Sequence, residues 1–428
     1  MKYYTPFVSS EYRPRVVDEY YRDRLQSIGA LLIKGPKWCG KTTTAERMSS
    51  SAIFLQDPDY RDYYNELGNR KPSALLQGDH PRLIDEWQDI PKIWDAVRFD
   101  IDRNGSCGRY ILTGSCTPKK VDENEENKHT GTGRIASVTM HTMSLYESGE
   151  STGEVSLSDL FNGKTDFDAQ SLLSIDDIAY LLCRGGWPGA LDLEERYALK
   201  APRDYYESVI NSDISKVDDV KRNPYVADAI LKSYARNICV PAELTTILRD
   251  VGSVATRPTV SDYIGALRRI FVIEDVPSWR PSLMSKARVR AAPKRCLSDP
   301  SIAVAALGAG PGALLNDMQA FGSLFESLCV RDIRVYADPM GGKVMHYHDT
   351  TDLEVDIIIE LPDGRWCAIE VKLGMDENDG AKNLLKLKKK TVLNSGIGPS
   401  FLAVITGSGF FHVRPDGVMV IPIGCLGP

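Results

Sequence analysis

The chain has 428 residues, enough for two or three domains with separate cores. Its 43% hydrophobic and 26% charged content excludes a disordered or collagen-like chain. A net charge of −6 excludes a global positive field, so a nucleic-acid partner would need a local basic patch.

Nine cysteines, an odd count with no repeated CxxC spacing, argue against a zinc site or a disulfide framework and for a reducing compartment. The first ten residues, MKYYTPFVSS, lack the apolar core of a leader. The longest apolar stretch, 302–315, is broken by Gly308, Gly310, Pro311 and Gly312 and is too short to span a bilayer. The expectation is a cytoplasmic protein with no membrane partner.

Residues 13–27 predict an amphipathic charged helix, and 30–33 a buried strand. Gly35-Pro36-Lys37-Trp38-Cys39-Gly40-Lys41-Thr42 then fits G-x-x-x-x-G-K-[ST], followed by a helix over 41–48. Gly35 and Gly40 let the backbone curl so that its N–H groups point at phosphates. Lys41 supplies a point charge for the β- and γ-phosphates, and the Thr42 hydroxyl reaches Mg²⁺. The motif sits between a strand and a helix N-terminus, as anion binding requires. Gly35 to Thr42, with Thr43, are therefore the expected ATP-binding residues.

A strand over 53–55 follows, and then Leu83-Ile84-Asp85-Glu86, an apolar strand end with two carboxylates. Asp85 is expected to hold a Mg²⁺ water, and Glu86 to orient and activate the attacking water. Alone, such a pair reads equally well as a strand cap, and Pro81 and Arg82 interrupt the apolar run. Thr113 and Ser115 end the next strand, 109–113, where they could sense a γ-phosphate or merely turn the chain. Residues 122–133 predict a mobile acidic, then Thr- and Gly-rich loop, and Arg134 after it is a candidate charge for the γ-phosphate. Strands alternating with helices predict a parallel α/β sheet.

From 175 to 275 the pattern is helical. A short helix over 243–250, a turn over 251–258, a helix from Thr259 to 270 and a strand over 271–276 have the layout of a winged helix-turn-helix. Its second helix would expose Arg257, Ser261, Tyr263, Arg268 and Arg269 in part, and Arg288, Arg290, Lys294 and Arg295 form a basic cluster nearby. Such a module contacts DNA or protein.

The last third returns to α/β: a helix over 317–330, strands over 344–348, 355–361 and 366–372, a Lys-rich helix over 381–390, and a strand over 401–406. Asp356 lies in one strand, and Glu370-Val371-Lys372 ends the next, with Glu370 and Lys372 on one face. Asp356 and Glu370 could hold Mg²⁺ while Lys372 stabilises an attacking water, and Glu326 could add a further acid. The triplet is also common by chance. Lys382, Lys386, Lys388, Lys389 and Lys390 follow where phosphate contacts would be useful, although charge runs usually face solvent.

The combination resembles a family of bacterial and archaeal ATPases, AAA-like at the N-terminus, with a C-terminal domain of unknown function. The resemblance covers nearly the whole chain: Gly35 to Thr42, Leu83 to Gln88, Ile111 to Ser115, His129 to Arg134, Met143-Ser-Leu, Gly185-Gly-Trp-Pro, Asp213-Ile, Arg257-Pro-Thr-Val-Ser-Asp-Tyr, Leu353-Glu-Val-Asp356 and Ile369-Glu-Val-Lys372. It implies a sensor or finger role for Arg134. The C-terminal arrangement is similar to the PD-(D/E)XK nuclease superfamily. The expected domains are a P-loop ATPase over 1–170, a helical and winged segment over 171–300, and a nuclease-like domain over 301–428. The leading expectation is a Mg²⁺-dependent ATPase coupled to DNA binding or processing. The alternative is a nucleotide-dependent signalling or interaction switch whose inactive nuclease-like domain only binds a partner; a protein partner or a homo-oligomer is possible.

Overall fold

The structure is a computed structural model that describes residues 12–116, 131–218, 220–281, 292–374, 376–396 and 398–428. They group into two units. The first comprises 12–141 with the short segments 215–221 and 269–271; the second comprises the rest.

The first unit is built on β1 (Ala30–Lys34), β2 (Ser51–Phe54), β3 (Arg82–Asp85), β4 (Tyr110–Gly114) and β5 (Ile135–Thr139), in the order β2-β3-β4-β1-β5. Every pairing is parallel. Parallel sheets are covered on both faces, so their strands read as continuous apolar runs rather than alternating ones. Leu31, Ile33, Leu83 and Ile111 pack into one core, while Leu32, Ile84 and Leu112 point to the other face and a second core. Arg82, the interruption in the β3 pattern, is buried at the strand start. Its guanidinium donates to the Leu75 carbonyl and the Ser51 hydroxyl, both at 3.0 Å.

In the second unit, β6 (Val155–Ser156) pairs with β13 (Leu426–Gly427). A mixed sheet contains β7 (Lys343–His348), β8 (Glu354–Glu360), β9 (Trp366–Lys372), β10 (Leu402–Thr406), β11 (His412–Val413) and β12 (Met419–Pro422), ordered β11-β12-β10-β9-β8-β7. One face is covered by the helix Asn378–Ser395, whose Leu384 and Leu387 pack on Trp366, Ala368 and Val404. The long helix Met318–Ala337 also belongs to this unit. Residues 142–170, expected with the P-loop domain, belong here. The pairing of β6 with β13 and a buried turn around Met143 tie them in: Met143 N–H donates to the Gly186 carbonyl at 2.7 Å.

The winged-helix elements are present in part. Helices Leu244–Val251 and Arg257–Arg269 flank a short turn, but the strand expected over 271–276 is reduced to isolated bridges of Ile273 with Leu297 and Val276 with Lys294. Phe271, at φ 58°, breaks the extended run. Among the described residues no helix is long and apolar enough to cross a membrane.

Candidate functional site

Lys34 ends β1, and the loop after it turns at Gly35 (φ 156°) and Gly40 (φ 101°) into the helix Lys41–Arg47. A Cβ on Gly35 would lie 2.2 Å from the Met140 carbonyl oxygen, so the loop needs glycine for space as well as conformation. Lys41 is buried, and its ammonium donates to the carbonyls of Gly35 (3.0 Å) and Pro36 (2.8 Å). Those are neutral acceptors that a polyphosphate would replace with charged ones.

β3 delivers Asp85 and Glu86 beside this loop. One Asp85 oxygen accepts from the Thr42 hydroxyl at 2.8 Å and from the Thr113 hydroxyl at 2.6 Å. Burial pushes the Asp85 carboxyl above its usual range, against the pull of those two hydrogen bonds. Glu86 adopts a left-handed conformation at φ 55°, and its N–H donates to Thr113 Oγ1 at 3.1 Å. Its carboxylate accepts from the Ser115 hydroxyl (2.8 Å), the Ser115 N–H (3.2 Å) and the Gln88 amide. Thr113 and Ser115 thus hold the two carboxylates rather than facing open space. The Thr42 hydroxyl and Asp85 carboxylate are hard oxygen donors of the kind Mg²⁺ takes.

Three further residues were not singled out from sequence for the nucleotide site. Arg15, buried, donates to the Cys39 carbonyl and the His141 carbonyl, both at 2.8 Å, and so clamps the loop from outside the motif. Tyr12 reaches Thr44 at 3.1 Å. Arg269 pairs with Asp218 at 2.6 Å, and its buried Nη1 has no hydrogen-bond partner among the described residues. It lies close enough to Cys116, just past β4, to act on its thiol. Burial, Glu86 and Asp89 push that thiol up to about 11, while Lys37 and Arg269 oppose the rise.

Arg134 lies apart from the loop of its own chain. It precedes β5, and its carbonyl accepts from Ala30 N–H at the start of β1, whereas the loop follows the end of β1. With parallel strands these are opposite ends of the sheet, about 16 Å apart along five residues. Arg134 instead pairs with Asp102 at 2.7 Å, half exposed. It does not reach the γ-phosphate site of its own chain.

The second unit brings together every acidic residue expected there. The register Ile357 opposite Ile369 carries Asp356 beside Glu370. Asp356 accepts from the Val371 N–H at 2.9 Å, and Lys372 pairs with Glu370 at 3.0 Å. Glu326 arrives from the helix Met318–Ala337. Lys294, expected in an exposed basic cluster, is 1% exposed instead, hydrogen-bonds Glu326 (2.7 Å) and Asp356 (3.0 Å), and forms an ion pair with Glu354 (3.2 Å). Asp356 and Glu370, expected as metal ligands, are thus engaged by a backbone N–H and two lysines. Among the described residues no group of three or more His, Cys, Asp or Glu is arranged to hold a metal ion.

Of the side chains expected on the surface of the winged segment, Arg257, Ser261 and Arg268 are exposed and Arg269 is partly so, but others are buried or paired. Arg295 is buried and pairs with Asp275 at 2.9 Å, Arg268 pairs with the same carboxylate at 2.6 Å, and Tyr263 is buried. Arg288 and Arg290 lie outside the described residues. Exposed lysines also lie elsewhere: Lys382, Lys386 and Lys389 line a groove with Asn378 and Leu385 on the helix Asn378–Ser395. That helix starts beside the acidic centre, where a Cβ on Gly380 would lie 3.1 Å from the Glu370 side chain.

Residues 28–149 match an AAA domain, residues 175–312 a domain of unknown function (DUF8612), and residues 321–426 another domain of unknown function (DUF4143). Uncharacterized proteins of Mycobacterium bovis and Mycobacterium tuberculosis are each 23% identical over 357 residues, covering 82% of this chain and 72% of the relative. A Walker-type ATPase of Pyrococcus abyssi is 13% identical with a TM-score of 0.42, covering 68% of this chain and 94% of that one. DnaA from Aquifex aeolicus, bound to AMPPCP, is 16% identical with a TM-score of 0.28, covering 59% and 86%. The N-terminal region is therefore an AAA-type P-loop domain.

Proposed function

We propose that the chain is a Mg²⁺-dependent ATPase in which nucleotide state controls a nucleic-acid-binding C-terminal unit. The observation that carries the first half is the shared Asp85 oxygen, which takes hydroxyl hydrogen bonds from both Thr42 and Thr113 beside a fixed Glu86. Lys41 and the loop N–H groups would bind the phosphates, and Thr42 and Asp85 would hold Mg²⁺, which supplies charge neutralisation on the phosphate oxygens. Glu86, held by Ser115 and Gln88, orients and deprotonates the attacking water. Arg269, which lies near Cys116, is read as a cation of the same chain on that side. Steady-state ATPase assays test this: Lys41→Ala should abolish turnover, and Glu86→Gln should lower it by about 10²–10⁴-fold while ATP still binds. Wild-type turnover in Lys41→Ala would overturn the assignment.

For the second unit the fold is read as PD-(D/E)XK-like. Support comes from the order helix with Glu326, strand with Asp356, strand with Glu370 and Lys372, and then a helix. The exposed lysines of that last helix supply phosphate contacts. Engagement of Asp356 by Lys294 and the Val371 N–H, and of Glu370 by Lys372, favours binding without cleavage. Duplex DNA affinity that falls with salt would agree, and no affinity at low salt would remove this half.

A further inference from the structure

We infer that the acidic centre of the second unit is already filled by a resident cation: the Lys294 ammonium occupies the position of a divalent ion and keeps Mg²⁺ and Mn²⁺ out.

Three features of this chain's own atoms carry the inference. First, the ammonium donates hydrogen bonds to Glu326 at 2.7 Å and Asp356 at 3.0 Å and forms an ion pair with Glu354 at 3.2 Å. The side chain is 1% exposed, so this is an internal group and not a surface lysine bent inward. Second, its backbone is pinned. Lys294 and Val276 exchange both N–H···O bonds at 3.0 Å, and Lys294 also bridges Pro241. Third, two further oxygens of the centre already have donors. The second Asp356 oxygen accepts from Val371 N–H, and Glu370 accepts from Lys372.

Glu326, Glu354, Asp356 and Glu370 face Lys294 and Lys372, so the acidic groups already have two resident cations. A Mg²⁺ ion would need oxygens at about 2.0–2.1 Å in octahedral array, which spacing around an ammonium does not provide. The tethered amine supplies its charge without leaving the chain. The inference rests on the nuclease-like reading only for the expectation of a metal; the occupancy does not depend on it.

The test is Mn²⁺ binding to the full nucleotide-free chain, read by electron paramagnetic resonance and by the shift of Tm with Mn²⁺. Wild type should bind no Mn²⁺ that Asp356→Asn abolishes. Lys294→Met keeps the stem and removes the charge, and should gain about one Mn²⁺ per chain together with a Mn²⁺-dependent rise in Tm. Adding Asp356→Asn should cancel both gains. Mn²⁺ held by wild type and lost in Asp356→Asn overturns the inference, and so does a folded Lys294→Met that gains none. If Lys294→Met fails to fold, the wild-type comparison with Asp356→Asn decides alone. No arm uses DNA, so failure of the nucleic-acid reading, seen in DNA affinity, is separate.

Discussion

Thr113 has no exposed surface, yet its hydroxyl serves two carboxylate-bearing residues: it donates to Asp85 and accepts from the Glu86 N–H. Thr113→Val keeps the shape and strands both partners, at a cost of about 1–3 kcal/mol. Chemical denaturation should show that loss, and turnover should fall because Glu86 is no longer fixed. The acidic centre has its own residue-scale signature. Glu326 has a folded pKa of about 8 against 4.5 for the free side chain. A raised value means that its stabilisation is full below the unfolded value and is lost as pH rises through the folded one, at up to about 1.4 kcal/mol per pH unit. Wild type should therefore lose stability from about pH 5 to pH 8, and Glu326→Gln should reduce that loss in melting curves, leaving the share that Glu370 contributes.

At the scale of elements, strand direction decides what the motifs mean. A parallel sheet places the loop at the end of β1 and Arg134 at the start of β5, so their nearness in motif order says nothing about space. Arg134→Ala should leave the turnover of isolated chains within about twofold, whereas Arg269→Ala should lower it clearly, both read as kcat/KM. The P-loop and the two carboxylates of β3 were readable in sequence because each is local: a glycine turn, a strand end, a helix start. Asp356, Glu370 and Lys372 were readable for the same reason. Lys294 was not, because its partners lie 32 and 62 positions away and a lysine among arginines looks like a solvated cluster. Arg15 was hidden similarly, holding the His141 carbonyl across 126 positions. Gly186 shows the converse. A Cβ there would lie 2.1 Å from the Met143 carbonyl, so the sequence pattern Gly185-Gly-Trp-Pro marks a backbone crossing. Gly186→Ala should destabilise the second unit, by about 1–3 kcal/mol or more, in thermal melts.

For the whole molecule, the chain is acidic, and one helix of the second unit carries the exposed Lys382, Lys386 and Lys389 side by side. Replacing Lys382, Lys386 and Lys389 with alanine should reduce the slope of log affinity for duplex DNA against log salt by about three. An unchanged slope would move the DNA contact elsewhere. ATP turnover measured with and without the duplex then reports whether the two units communicate.

The β6–β13 pair carries a consequence for biogenesis. The Ser151 hydroxyl donates to the Leu426 carbonyl, 275 positions later, and Val155 pairs with Leu426 in the two-residue ladder. A nascent chain emerging from the ribosome can therefore assemble most of the P-loop sheet early, while residues 151–156 stay without their partners until the last stretch of this sequence has been made. The nucleotide-binding half would be in place before the half it is proposed to control.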